Sequence, residues 1–114
     1  MFRKIKNILY RSFDEREIDY KMLKSLMKNE KVFLIDVRSS QEFKEKHLDG
    51  AINIPLYLIE NEIENYVKDK SQKIILYCSS GNRSRQAKKI LEKMQYKNVY
   101  NLTNGIEDII WRTY

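Results

Sequence analysis

Apolar and polar positions alternate along this chain in blocks whose period changes. Lys31 to Val37 carries Val32, Phe33, Leu34, Ile35 and Val37 almost without interruption. Such a run predicts a strand covered on both faces, as in the interior of a parallel sheet. Ile74 to Tyr77 is a second short apolar run, Ala51 to Ile54 a third ended by Pro55, and Asn98 to Leu102 a fourth; Ile18 begins another. Between them the period lengthens. Asp19 is the expected N-cap of a helix turning Met22, Leu23, Leu26 and Met27 inward. Ser39 or Ser40 caps a short helix containing Glu42 and Phe43, and a longer helix after Pro55 holds Ile59, Ile63, Tyr66 and Val67 at i, i+4, i+7 and i+8. Ala87, Ile90, Leu91 and Met94 fall at i, i+3, i+4 and i+7, with Arg85, Lys88, Lys89, Glu92 and Lys93 mostly turned away. Asn104-Gly105 introduces a last helix with Ile106, Ile109 and Ile110. Strands alternating with helices predict an α/β fold, a mostly parallel central sheet with helices on both faces.

One junction in this pattern carries chemistry. The strand Ile74–Tyr77 delivers Cys78, the only cysteine, to its C-terminal end; a polar loop with one glycine follows, and then the helix of Ala87 and Leu91. The first N–H groups of a helix lack intrahelical partners, and the aligned peptide dipoles place partial positive charge there. A loop curling into that helix can aim several amides at one point, forming an anion nest. Arg83 adds a full positive charge. Each influence favours thiolate over thiol, so Cys78 is the candidate nucleophile, expected anionic and accessible, with a pKa below the ordinary value of about 8.5.

Composition narrows the picture. At 114 residues the chain is one domain with one modest core. The net charge is +6 and the pI about 9.4, but Lys and Arg are scattered, as on a solvated surface, and no nucleic-acid partner is expected. Residues 1–17 form a basic amphipathic extension, with Phe2, Ile5, Ile8 and Leu9 on one face and Arg3, Lys4, Lys6 and Arg11 supplying charge. Packing against the domain, or a frayed end, outweighs binding to an anionic membrane surface for this segment. It lacks the apolar core and cleavage site of a signal peptide, and no stretch reaches the ~20 apolar residues of a spanning helix. A lone cysteine forbids an intramolecular disulfide and is compatible with a reducing compartment. The expected location is cytoplasmic. No metal and no cofactor is called for.

The motifs, taken in order, resemble a known family. Cys-Ser-Ser-Gly-Asn-Arg-Ser at 78–84, after a buried strand, is similar to the active-site loop of the rhodanese (sulfurtransferase) family. The likeness extends upstream through Leu34-Ile35-Asp36-Val37-Arg38, Gln41-Glu42-Phe43 and His47-Leu48-Asp49-Gly50-Ala51-Ile52-Asn53-Ile54-Pro55. Downstream it takes in Lys97-Asn98-Val99-Tyr100-Asn101-Leu102 and Gly105-Ile106-Glu107. The resemblance implies a three-layer α/β sandwich over residues 18–114, with Asp36 and Arg38 supporting the active-site region at the C-terminal edge of the sheet. Asp36 reads mainly as structural; Arg38 stands evenly between structural pairing and anion attraction. His47, the only histidine, is the rival general base, though the family pattern makes it a packing and hydrogen-bonding residue. Lys46, Gln95, Asn104 and Ile109 stand where the family commonly has Gly, Gly, Gly and Trp, with Trp111 two residues further on. If Gln95 must be left-handed, it costs on the order of 1 kcal/mol relative to Gly.

The implied activity is sulfur transfer. The Cys78 thiolate attacks the outer sulfur of a small anionic donor such as thiosulfate and becomes a persulfide; cyanide or an external thiol, free or on a protein, then takes the terminal sulfur. Backbone N–H groups from Ser79 to Ser84 would hold the charged sulfur. Gly81 lets the loop turn, Arg83 helps bind the donor, and the side chains of Ser79, Ser80, Asn82 and Ser84 add hydrogen bonds or fix loop shape. With no second cysteine, the acceptor must come from outside the chain. The alternatives are a persulfide carrier, a binding module that keeps the fold without catalysis, and a cysteine-based phosphatase or arsenate reductase. Loops of the last kind read Cys, five residues, Arg; here four residues separate Cys78 from Arg83, and the smaller ring favours a single sulfur over phosphate.

Overall fold

A computed structural model describes residues 16–107 and 109. Five parallel strands form one sheet: β1 (Glu17–Ile18), β2 (Val32–Asp36), β3 (Ile52–Asn53), β4 (Lys73–Tyr77) and β5 (Asn98–Leu102), in the order β1-β5-β4-β2-β3. Four helices connect them: α1 (Tyr20–Asn29), α2 (Ser40–Glu45), α3 (Ile59–Tyr66) and α4 (Asn82–Lys93). A further helical turn begins at Gly105. The expected sandwich is therefore present, and its sheet is wholly parallel. The readings that rest on Phe2, Ile5, Ile8 and Leu9, on Ile110 and on Trp111 fall on residues outside those described. Among the described residues, no helix is long and apolar enough to cross a membrane.

Alternation along the central strands divides the core in two. Ile35, Val37, Ile74, Leu76, Cys78 and Val99 pack with Ile59, Ile63, Ala87 and Leu91 of α3 and α4. Leu34, Ile75, Tyr77 and Leu102 pack on the other face with Leu23 of α1 and with Ile106 and Ile109. Because β2 and β4 are apolar on both faces, they sit inside the sheet, flanked by β3 and β5. Their register pairs Asp36 with Tyr77, so Val37 and Cys78 leave the sheet side by side at its C-terminal edge. Open α/β sheets bind ligands at that edge.

Local signals account for most element ends. Asp19 accepts a 2.9 Å hydrogen bond from the Met22 amide as N-cap of α1. Ser39, rather than Ser40, caps α2 in a full capping box with Glu42. Pro55 is followed by a 3₁₀ turn, Leu56–Leu58, before α3 starts. Gln95 does adopt the left-handed conformation, at φ 75°. Two expected inward residues face outward: Met22 is 50% exposed and Tyr66 43%. Each lies at the margin of its helix stripe, where tertiary packing on Leu23 or Ile63 sets the rotation.

Candidate active site

The site is built where β4 runs out. Cys78 follows the strand, Ser79 and Ser80 bend away from it, and Gly81 at φ 100° turns the chain into α4. A Cβ on Gly81 would stand 2.2 Å from the Thr103 carbonyl oxygen, so the turn has no space for a side chain. The loop thereby closes on the sulfur. Gly81 donates its N–H to Cys78 Sγ at 3.0 Å, and Ser84 Oγ lies 3.4 Å from Sγ. Ser84 is itself fully buried, and its Oγ also lies 3.1 Å from the Gly81 carbonyl oxygen, so its one proton serves either the sulfur or that carbonyl. Burial pushes the Cys78 thiol up, but hydrogen bonding from the Ser84 side chain and from the amides of Ser84, Gly81 and Ser80 outweighs it, leaving the pKa below its ordinary value. The Sγ is thus the focus of a nest of amides at a helix N-terminus.

The sulfur is less open than the sequence suggests. Cys78 is 1% exposed and packs within the apolar cluster beneath α3 and α4. The ring of amides is braced from behind by residues whose part the sequence does not reveal. The amides of Ile106 and Glu107 donate to the carbonyls of Cys78 and Ser79, at 2.9 and 3.1 Å. Those bonds turn the two carbonyls away from the loop interior. Gly105, at φ 68°, makes the approach possible: a Cβ there would lie 2.3 Å from the Ser79 oxygen and 2.6 Å from the Cys78 oxygen. The visible signal was the Asn104-Gly105 pair at a helix start, which pointed to a turn and not to its partner 27 residues earlier.

The other predicted site residues separate into distinct groups. Asp36 and Arg38 are buried together: Arg38 Nη2 donates to Asp36 Oδ2 at 2.7 Å, its Nε to both carboxylate oxygens at 3.1 Å, and its backbone N–H to Oδ1 at 2.9 Å. Arg38 also reaches the Lys46 carbonyl and lies over the Tyr77 ring at 5.8 Å. Asn53 Nδ2 binds the Asp36 and Arg38 carbonyls at 3.0 Å each, tying β3 to the end of β2. Between its two alternatives, Arg38 takes structural pairing. Arg83 also pairs, but at the surface: its Nη1 and Nη2 donate to Glu42 Oε1 and Oε2 at 2.8 and 2.9 Å, and Nη2 to Ser79 Oγ at 3.2 Å. Arg83 holds the Glu42 carboxyl far below the usual carboxylate range; partial burial opposes this, while Ser39 adds to it. Glu42 is the site neighbour that the sequence placed only within a short helix and among the family's motifs, with no role at the loop.

Asn82 is exposed and accepts from Arg85 Nη1 at 3.1 Å, bracing the first turn of α4 and not the sulfur. The Ser80 side chain stands at an exposed position. His47 is stacked on Phe43, ring centroids 3.7 Å apart, with Nδ1 2.7 Å from the Phe43 carbonyl. It lines a groove of about 630 Å³ between α1 and the last helical turn that includes none of residues 78–84. A second groove, about 530 Å³, adjoins Arg83 and is bounded by Ser39, Leu56, Tyr57 and Gln86. No cluster of three or more His, Cys, Asp or Glu suited to a metal occurs among the described residues.

Comparison with known proteins agrees with this geometry. The chain is 43% identical over 75 residues to the thiosulfate sulfurtransferase PspE of Escherichia coli, covering 66% of this chain and 71% of that one. It is 32% identical over 90 residues to a tRNA uridine(34) hydroxylase of Buchnera aphidicola, 75% of this chain but only 29% of that longer protein. A solved structure described as a rhodanese with anions from E. coli superposes with a TM-score of 0.64 at 38% identity, over 68% of this chain and 91% of the other. The family model of the rhodanese-like domain matches residues 19–110. This chain belongs to the rhodanese-like domain family.

Proposed function

We propose that this protein is a sulfurtransferase that carries sulfane sulfur as a persulfide on Cys78. The observation that carries the reading is the Sγ itself, lowered in pKa and met by inward-pointing N–H groups at the start of α4. With thiosulfate as donor, the Cys78 thiolate attacks the outer sulfur, the S–S bond breaks, and sulfite leaves with the bonding pair. The product, Cys78–S–S⁻, places its charge one atom further into the ring of amides, where the fixed dipoles need no reorganisation. Cyanide or a thiolate then attacks the terminal sulfur. Thiocyanate or a new persulfide departs, and the Cys78 thiolate returns. The relative PspE is a thiosulfate sulfurtransferase by name, which supports thiosulfate as a donor.

Because Cys78 is the only cysteine, each sulfur leaves for an external acceptor. The groove beside Arg83 offers that acceptor an approach along α4 and the 3₁₀ turn. Steady-state thiocyanate production from thiosulfate and cyanide should follow ping-pong kinetics and fall at least ~10³-fold in Cys78→Ser, since the covalent intermediate is lost. Undiminished turnover in that variant would refute the assignment. Slow transfer to cyanide with rapid transfer to a protein thiol would make the same persulfide a carrier's cargo.

A further inference from the structure

Within the sulfur-transfer reading above, on which this inference rests, we propose that Glu42 is a positioning residue that sets the charge of the preferred donor. It does so by quenching Arg83 at the rim of the ring, so that doubly charged donors bind more weakly than an unpaired Arg83 would allow. Arg83 is the only full positive charge between Cys78 and Ser84. Both of its terminal nitrogens are taken by one carboxylate, in the parallel two-bond geometry that makes arginine–carboxylate pairs strong. The pair spans 41 residues of sequence and joins α2 to α4.

Two further features fix Glu42 in that place. Its Oε1 also accepts from the Ser39 amide at 3.1 Å and from Ser39 Oγ at 3.0 Å, while its own N–H binds Ser39 Oγ at 3.2 Å. Its Oε2 lies 3.3 Å from the hydroxyl of Ser79, the first residue after the nucleophile. A carboxylate held by Ser39, Ser79 and Arg83 together stays charged and stays at the rim. It touches no reacting atom. An approaching anion therefore meets a pair of zero net charge in place of a free guanidinium, and by Coulomb's law the attraction forgone by a dianion is twice that forgone by a monoanion.

The chemistry allows a comparison at constant mechanism. Thiosulfate carries two charges and releases sulfite; methanethiosulfonate carries one and releases methanesulfinate. In both, the Cys78 thiolate attacks the outer sulfur and the S–S bond breaks toward the leaving group. Glu42→Gln removes the charge while glutamine still suits the capping position. With cyanide as acceptor, the KM for thiosulfate should fall ~3- to 10-fold, and that for methanethiosulfonate by about the square root of that factor. The kcat with each donor should stay within about twofold, and the thiosulfate gain should shrink as salt is raised. Ser39→Ala removes the cap but keeps the charge and both Arg83–Glu42 bonds, which are enough to hold the carboxylate at the rim, and should leave the ratio of the two KM values at the wild-type level.

An unchanged or raised thiosulfate KM in Glu42→Gln, an equal shift for both donors, or the same ratio change in Ser39→Ala would overturn the proposal. If the wild-type protein turns over neither donor, the sulfur-transfer reading fails and this one with it. Turnover with an unmoved ratio defeats this proposal alone.

Discussion

Asp36–Arg38 and Glu42–Arg83 are both arginine–carboxylate pairs at the C-terminal edge of the sheet, and they have little else in common. Asp36 and Arg38 form the floor: two residues apart in sequence, their side chains 0% and 7% exposed, bonded besides to the Lys46 carbonyl. Glu42 and Arg83 form the rim, 34% and 38% exposed. The floor pair is sealed in protein, so each charge depends on the other for its counter-charge. Its task is to fix where β2 ends and β3 begins. The rim pair is half in water and adds little to stability, because solvent screens it. In the proposed reaction its consequence is electrical, at the mouth of the loop that would receive the donor anion. The same two side-chain chemistries thus serve architecture in one location and selectivity in the other, and burial decides which.

Substitutions separate the two. Asp36→Asn leaves the Arg38 guanidinium buried without its counter-charge and should cost about 3–5 kcal/mol, read from urea denaturation. A loss below about 1 kcal/mol would mean that the floor is no more structural than the rim. Gly105→Ala tests the brace behind the loop. It forces a left-handed alanine against the Ser79 and Cys78 carbonyls and should cost about 1–3 kcal/mol in strain. Sulfur transfer should drop further than stability, because the displaced carbonyls carry the amide ring with them; activity that merely tracks the folded fraction would contradict this. Arg83→Gln should leave the urea midpoint close to wild type yet raise the thiosulfate KM ~10-fold, equivalent to about 1.4 kcal/mol. A variant that unfolds without a KM effect would exchange the roles assigned to the two pairs.

How far the sequence reaches follows from the range of each interaction. The strand, loop and helix around Cys78 are local, and apolar periodicity with one glycine is enough to place them. The left-handed Gln95 is local too: the sequence raised that conformation as a condition, and the structure shows it at φ 75°. Arg38 was open between two roles because the choice depends on burial, which composition does not show. The Glu42–Arg83 fork and the Gly105 brace bridge 41 and 26 residues, from Glu42 to Arg83 and from Gly105 back to Ser79. Each is created by chain packing alone. Met22 and Tyr66 were misdirected for a related reason: a helix stripe has margins, and only its partners decide which margin is covered. The enclosure of Cys78 is a third case, set by how α3 and α4 pack over the end of β4.

The most direct test of the account is intact-mass analysis of the wild-type protein and Cys78→Ser after incubation with thiosulfate and then with cyanide. The account predicts that the wild-type chain gains the mass of one sulfur atom, that cyanide removes it, and that Cys78→Ser gains nothing. A folded wild-type protein that stays at its original mass, or a Cys78→Ser protein that gains the same sulfur, would contradict it.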